Sequence, residues 1–278
     1  MTWEQKVWKH GLHFLYAVKP FLFYAFVPVL LARFGQMFRV GTGADLEEFL
    51  RVSRNFYLFT GHLLVWWYFV RQSRRQGTTL CAQTGLYLRR GEVNLRLAMY
   101  CFFFGMAAAL FFSAVVTLLP MPGWLKNSYH STSAPMYGQV DVLLLLPLSA
   151  FIAPLLEEMV MRGFMLSRLL EHYSVRMSVW ITSLVFAVCH GNLVSFIYAL
   201  FMGLAFAWID IKMDNIAYSI VMHIGFNSLA WINTVILLAG VQADFFGTWY
   251  LVFLYGAVGA MSAWLIGQKI QNEEEKKL

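Results

Sequence analysis

The stretch Ile152-Ala-Pro-Leu-Leu-Glu-Glu-Met-Val-Met-Arg-Gly-Phe-Met-Leu166 places two adjacent carboxylates and an arginine inside an apolar segment. On a helix, Glu158 and Arg162 are i and i+4, so they share one face with the acid on the favourable N-terminal side. Glu157 points about 100° away from Glu158 and has no partner within the segment. An ionisable side chain in a membrane span costs about 2.5–3.5 kcal/mol on insertion scales and usually serves a function. The stretch therefore marks a candidate functional site.

The composition indicates an integral membrane protein. Of the 278 residues, 59% are hydrophobic and 13% are charged, whereas soluble domains carry about 25% charged residues. No linker rich in Ser, Gly or Pro divides the chain, so we predict a single all-α membrane domain over residues 1–278. Three cysteines without a Cys-x-x-Cys pair predict neither a disulfide framework nor a cysteine metal site. The net charge of +6 fits cytoplasmic Lys and Arg rather than nucleic-acid binding.

Eight segments are candidate transmembrane helices, because a span needs about 20 mostly apolar residues. Lys19-Pro20 interrupts the first of them, and a proline inside a helix favours a kink. The second and the fifth are short. The approximate ranges are 12–33, 55–70, 96–119, 141–161, 177–190, 193–210, 215–239 and 248–267.

Lysine and arginine in the connections predict the orientation. The 71–94 loop carries five arginines and one acid, which places it in the cytoplasm. The 168–176 connection and the C-terminal tail are also predicted to be cytoplasmic. The 120–140 segment contains Lys126 as its only Lys or Arg and is expected outside. The 34–54 loop is nearly neutral in charge, which is compatible with a location outside. Both termini are therefore predicted to be cytoplasmic.

Further polar side chains lie inside the predicted spans. Phe186-Ala-Val-Cys-His190 ends the fifth span, and His223-Ile-Gly-Phe-Asn227 lies in the seventh, where His223 and Asn227 share one helical face. At about 1.5 Å per residue, Glu157, His190 and His223 lie roughly 15, 20 and 13 Å from the cytoplasmic helix ends. We expect them to meet in one polar cavity that opens to the cytoplasmic half.

These residue types fit hydrolysis by an activated water. A carboxylate in a dry pocket can act as general base on a water, and an imidazole can share that water or donate to a developing oxyanion. An Asn amide is a typical oxyanion donor. A side-chain nucleophile is not indicated, because the sequence has no Gly-x-Ser-x-Gly motif and no Ser or Cys clearly paired with a His.

Three short motifs resemble those of the CAAX prenyl protease and bacteriocin-processing (CPBP, Abi) family of intramembrane endopeptidases. That family is marked by Glu-Glu-x-x-x-Arg, then Phe-x-x-x-His, then His-x-x-x-Asn or a similar small polar residue. The resemblance covers about residues 141–239, which is the expected catalytic core, and the other spans match only in being apolar. In chain order the motifs are Glu157-Glu158-Met-Val-Met-Arg162, Phe186-Ala-Val-Cys-His190 and His223-Ile-Gly-Phe-Asn227.

The resemblance implies an all-helical membrane endopeptidase. In such an enzyme Glu157 is the general base and His190 helps to hold the attacking water. His223 and Asn227 then form the oxyanion site. The positions implied to be supporting are Glu158, Arg162 and Phe186.

The resemblance leaves the cofactor open, because members have been described both as metal-independent glutamate proteases and as metalloproteases. The chain lacks His-Glu-x-x-His, the motif whose two histidines make a zinc-binding helix face. We therefore expect no metal cofactor. The alternative is zinc bound by Glu157, His190 and His223 from separate helices.

The sequence thus predicts an intramembrane endopeptidase in the lipid bilayer of a bacterial plasma membrane. Its expected substrate is a membrane-associated peptide or protein: a prenylated C-terminus, the leader of a secreted peptide or a membrane-anchored signalling protein. Two other classes stay open. One is a proton-coupled transporter that relays protons through Glu157, His190 and His223. The other is a catalytically silent membrane adaptor or immunity protein on the same fold.

Overall fold

A computed structural model describes residues 3–37, 44–88, 93–133, 148–238 and 248–275, which are helical with short connections and contain no strand. We treat four consecutive helical segments, Leu148–Ile152, Ala153–Glu158, Met159–Leu166 and Ser167–Leu170, as one element, α6. The other elements in these ranges are α1 (Trp3–Met37), α2 (Ala44–Arg75), α3 (Leu80–Thr84), α4 (Leu95–Leu118), α5 (Gly123–Ser133), α7 (Val175–Val188), α8 (Leu193–Met213), α9 (Ala217–Leu238) and α10 (Trp249–Glu275).

Four helices among the described residues are long and apolar enough to cross a membrane. They correspond to the first, third, sixth and eighth predicted spans. Helix α7 is apolar but has 14 residues, about 21 Å of helix, which is short of the roughly 30 Å of hydrocarbon. The all-helical class is thus observed, whereas the number of eight spans stays a prediction. The four candidate spans are Trp8–Leu31, Leu95–Leu118, Leu193–Met213 and Trp249–Glu273.

Some helix boundaries differ from the predicted ones. The 34–54 loop is shorter than predicted, because α1 continues to Met37 and α2 already begins at Ala44. Hydropathy detects only the apolar part of a helix. The sequence Asp45-Leu-Glu-Glu48 at the start of α2 is polar, and acidic residues are favoured in a first helical turn. Helix α1 also continues through Pro20, so this proline does not end it. Residues 141–147 of the fourth predicted span and residue 239 of the seventh lie outside the described residues.

Helix α6 lies at the centre of the bundle, where α1, α3, α7, α8 and α9 pack against it. Every residue from Met159 to Leu166 is buried. Met161 and Met165 belong to one apolar core cluster, and Val160 and Phe164 belong to the second. A helix that is apolar on all sides is typically buried in this way, and the two buried charged side chains of α6, Glu158 and Arg162, must then find partners inside the protein.

Helices α4 and α9 cross at small residues. A Cβ atom on Gly105 would overlap the backbone carbonyl of Met222, and a Cβ atom on Gly225 would overlap that of Phe102. The two backbones can therefore approach this closely only because both positions are glycine, as in many membrane helix pairs. This crossing fixes the part of α9 that carries His223.

Candidate active site

The two glutamates lie between two stretches of widened turns in α6. Leu148–Ile152 and Met159–Leu166 are π-helical, and Ala153–Glu158 between them is α-helical. Pro154 has no N–H to donate to the preceding turn, which favours a change of hydrogen-bonding pattern there. Such π-type turns inside α-helices frequently occur at functional sites.

Glu157 and Glu158 occupy opposite environments although they are neighbours in the chain. The side chain of Glu158 is 0% exposed, and that of Glu157 is 26% exposed at the wall of a cavity. One carboxylate is therefore part of the packed interior, and the other can reach a ligand or water.

Glu158 is held by hydrogen-bond partners on two helices. Its Oε1 accepts a hydrogen bond of 2.9 Å from Arg162 Nη1, as the i, i+4 spacing predicts. The same oxygen accepts a second hydrogen bond of 2.9 Å from His223 Nδ1 on α9. Buried charges persist in proteins when they are paired and hydrogen-bonded, so we interpret Glu158 as a structural anchor.

Arg162 connects α6 to α8 and to two aromatic rings. Its Nη2 donates to the backbone carbonyl of Gly203 at 2.9 Å. Its guanidinium carbon lies 5.1 Å from the ring centres of both Phe186 and Phe206, a distance at which a cation is attracted to an aromatic face. The arginine therefore has a paired carboxylate, a carbonyl and two rings as surroundings in place of water.

His223 lies between the two glutamates. While Nδ1 donates to Glu158, Nε2 lies 3.8 Å from Oε2 of Glu157. The imidazole stacks on Phe206 with a centroid distance of 4.7 Å and meets Phe186 edge-on at 5.6 Å. An ionised carboxylate only accepts hydrogen bonds, so Nδ1 carries a proton and Nε2 is directed to Glu157.

Glu157 has partners on two other elements. Tyr24 of α1 donates a hydrogen bond of 3.3 Å to its Oε1. Its Oε2 faces His223 at a distance too long for a direct hydrogen bond. The carboxylate is thus held on one side and open toward the cavity on the other.

His190 lies in the tight turn that joins α7 to α8. Its Nδ1 is 2.8 Å from the carbonyl of Phe186, one turn earlier, and its ring meets that of Phe186 at 4.7 Å. Gly191 turns the chain with a φ of 77°, a value that favours glycine. Asn192 then caps α8 by accepting from the amide of Ser195 at 2.8 Å, which fixes the turn that carries His190.

A cavity of about 800 Å³ joins the predicted catalytic residues. Glu157, Phe186, His190, His223 and Asn227 all contribute to its wall. The structure therefore brings together the four side chains that the motifs predicted as catalytic, around a space large enough for a peptide segment. The remaining wall includes Ala109, Phe112, Thr117, Leu119, Pro120, Met121, Lys126, Tyr129, Tyr198 and Phe226.

The cavity extends in a direction that the sequence did not predict. It reaches Leu119, Lys126 and Tyr129, which follow the C-terminal end of α4. The Lys and Arg pattern places that region outside, whereas the depth estimate predicted an opening to the cytoplasmic half. The depth estimate considered only helix lengths, and it did not include α5, which lies over this end of the cavity.

The contacts of the three residues named for a zinc site leave the cofactor prediction open. Among the described residues, no group of three or more His, Cys, Asp or Glu side chains is arranged to hold a metal ion. His223 uses Nδ1 for Glu158, and His190 has Nδ1 against the Phe186 carbonyl. Metal-binding histidines commonly make such bonds with the ring nitrogen that does not bind the metal, so both the metal-free prediction and the zinc alternative remain.

Several side chains at the site were not found from the sequence. Tyr24 lies in the first predicted span, outside every motif, and nothing in its surroundings in the sequence links it to Glu157. Phe206 and Gly203 belong to an apolar span in which one aromatic or glycine resembles any other. Their roles depend on contacts with α6 and α9, which no local pattern predicts.

Comparison with known proteins agrees with this geometry. Residues 139–229 match the family model described as Rce1-like, type II CAAX prenyl endopeptidase. This segment is similar to the Rce1-like family. The match confirms the resemblance stated from the three motifs, all of which lie inside it. No curated protein and no solved structure matched the chain.

The Rce1-like segment contains α6, α7, α8 and the first half of α9. The chain therefore combines four apolar helices of membrane-spanning length with a segment that is similar to a family of prenyl endopeptidases. Tyr24 lies outside the Rce1-like segment, although it contacts Glu157 within it.

Proposed function

We propose that the chain is an intramembrane endopeptidase that hydrolyses a peptide bond of a membrane-associated substrate with a water activated by Glu157. One observation carries the proposal: two adjacent carboxylates have opposite surroundings, Glu158 buried with its Oε1 bonded to Arg162 and His223, and Glu157 at a cavity beside an imidazole. Pairs of titratable groups in contrasting environments are typical of acid–base sites.

The attacking water would lie between Glu157 and His223. The separation of 3.8 Å between Glu157 Oε2 and His223 Nε2 exceeds a hydrogen bond, and polar atoms at such distances are commonly bridged by water. Glu157 takes a proton from this water as its oxygen attacks the carbonyl carbon of the substrate. The same proton then passes to the leaving amine as the C–N bond breaks.

Glu158 sets the protonation of His223 in this scheme. Because Nδ1 donates to the buried carboxylate, the neutral ring presents an unprotonated Nε2 to the shared water. Glu158 therefore fixes which nitrogen accepts, in the way that a buried acid orients the histidine of a hydrolase triad.

The oxyanion would be stabilised from the cavity wall by Asn227 and His190. Both residues line the cavity. The Asn227 amide has N–H donors for a developing negative charge. His190, whose Nδ1 donates to the Phe186 carbonyl, donates from Nε2 when its ring is protonated. The family resemblance implies the opposite assignment, in which His190 holds the water and His223 stabilises the oxyanion. The short distance from Glu157 to His223 supports assigning the water to His223.

The substrate class follows from the family description and the setting. The proposed substrates are prenylated C-termini, leader peptides and membrane-anchored proteins, and a cavity of about 800 Å³ has room for a peptide segment of each. The residues of the cavity wall suit all three, so the test must present all of them.

The test is hydrolysis of fluorogenic peptides, with and without a C-terminal lipid, by the detergent-purified wild type and by Glu157→Gln. We expect activity in the wild type that is lost in Glu157→Gln and kept after chelator treatment. Loss in chelator that zinc restores would assign a metalloprotease. Equal signals from both proteins on every substrate would contradict the proposal and favour the adaptor function.

One further variant distinguishes the proposed roles of His190 and His223. His190→Gln keeps an N–H donor but loses the imidazole, so it retains partial activity if His190 serves the oxyanion. Complete loss, equal to that of His190→Ala, would return the water-holding role to His190.

A further inference from the structure

We infer that Tyr24 of α1 is a positioning residue for Glu157, so that a helix outside the Rce1-like segment completes the active site. The inference rests on the proposed function of Glu157 as the general base. It adds a residue that belongs to none of the three motifs.

The two carboxylate oxygens of Glu157 face residues on two different helices, α1 and α9. Oε1 accepts the hydrogen bond from the Tyr24 hydroxyl at 3.3 Å, and Oε2 faces His223. An ionised carboxylate has no proton to donate, so the hydroxyl is the donor. With Oε1 held by α1, the plane of the carboxylate is fixed and Oε2 is left for the water.

Tyr24 is itself held in place by α2. Its ring meets the imidazole of His62 edge-on, with a centroid distance of 5.2 Å and an angle of 62°. Helix α1 packs both against α2 and against the Met159–Leu166 part of α6. A hydroxyl carried by a braced ring loses little side-chain freedom when it binds, which suits it to orient a catalytic group.

Tyr24 acts through Glu157 rather than on the substrate. It is not among the residues that line the cavity, so removal of its hydroxyl should leave substrate binding unchanged. Tyr24→Phe removes a single oxygen atom and keeps the ring that contacts His62. The effect of this variant therefore reports on the hydrogen bond alone.

Tyr16→Phe is the matched control on the same helix. The ring of Tyr16 lies 4.3 Å from the guanidinium of Arg168, and its backbone carbonyl accepts from Arg168 at 3.0 Å. Both contacts persist without the hydroxyl. Tyr16→Phe thus reproduces the chemistry of the substitution away from Glu157.

A split between kcat and KM separates positioning from a purely structural role. The Tyr24 hydroxyl contacts Glu157 and does not line the cavity, so its loss should lower kcat and leave KM unchanged. The other titratable or charged groups near Glu157 are Glu158 and Arg162 on its own helix, Cys189 and His190 after α7, and His223 on α9, and all are unchanged in Tyr24→Phe.

The experiment measures kcat, KM and the unfolding midpoint of wild type, Tyr24→Phe and Tyr16→Phe on the best substrate of the panel. We expect Tyr24→Phe to lower kcat about tenfold and to leave KM within twofold and the midpoint close to that of the wild type, while Tyr16→Phe matches the wild type throughout. An unchanged kcat in a folded Tyr24→Phe, or a loss that appears in KM instead, would overturn the inference and leave the proposed function intact. Absence of hydrolysis dependent on Glu157 in the wild type would instead overturn both.

Discussion

Glu157 and Glu158 differ by one position and by about 100° around α6. That rotation places one carboxylate at the cavity and directs the other to Arg162 and His223. Function at this site therefore depends on which of the two carboxylates is buried and which one lines the cavity. The buried pair of Glu158 and Arg162 makes a prediction about stability rather than catalysis.

Arg162→Gln should destabilise the protein strongly. It leaves Glu158 buried with His223 as its remaining partner, and breaking a buried ion pair costs about 3–5 kcal/mol. The control is Arg168→Gln on the same helix, whose side chain is half-buried and bonds a backbone carbonyl. Thermal unfolding in detergent should show a much lower midpoint for Arg162→Gln than for Arg168→Gln.

A paired substitution checks the cause of that loss. Glu158→Gln combined with Arg162→Gln removes both charges, so it should recover part of the stability that Arg162→Gln loses. Equal midpoints for Arg162→Gln and Arg168→Gln would show that the buried pair does not hold the site together.

At the residue level, the sequence predicts only the local contacts. The Glu158–Arg162 bond could be predicted because i and i+4 residues meet on any helix. The bonds from His223 to Glu158 and from Tyr24 to Glu157 span 65 and 133 positions. They depend on how α1 and α9 pack around α6, which no spacing within one segment determines.

At the scale of elements, the close crossing of α4 and α9 positions His223. Gly225→Ala should therefore destabilise the bundle, because its Cβ would overlap the Phe102 carbonyl on α4. Overpacking of this kind costs about 1–3 kcal/mol. Gly267→Ala is the control, since a Cβ there meets no atom within 4 Å. A lower unfolding midpoint is expected for Gly225→Ala alone, and equal midpoints would contradict the crossing.

Hydropathy predicted the helical class but not the extent of each helix. Polar residues extend α2 back to Ala44, and α7 ends after 14 residues at the turn that carries His190. Both features depend on capping and packing rather than on apolar length. The apolar pattern does not predict the π-type turns on either side of the glutamates. Pro154 is the one local indication of a change in hydrogen bonding there.

At the scale of the whole molecule, the direction of the cavity tests the predicted orientation. Lys126 at the cavity wall should be outside, and Arg75 at the end of α2 should be cytoplasmic; both side chains are exposed. In a variant without Cys81, Cys101 and Cys189, a membrane-impermeant maleimide should label Lys126→Cys in intact cells. Arg75→Cys should react only after permeabilisation.

The reverse labelling pattern would invert the chain in the membrane. The cavity would then face the cytoplasm, as the depth estimate predicted, and the Lys and Arg pattern would be the part that fails. Because α5 covers the same end of the cavity in either orientation, the assignment of the catalytic residues does not change with this result.

The most direct test of the central claim compares Glu157→Gln with the wild type for both activity and stability. We predict that kcat falls about 10²–10⁴-fold, as expected for a lost general base, while the unfolding midpoint stays close to that of the wild type. The side chain is partly exposed, and its nearest hydrogen bond is the 3.3 Å contact with Tyr24. Retained hydrolysis in a folded Glu157→Gln protein would contradict the account.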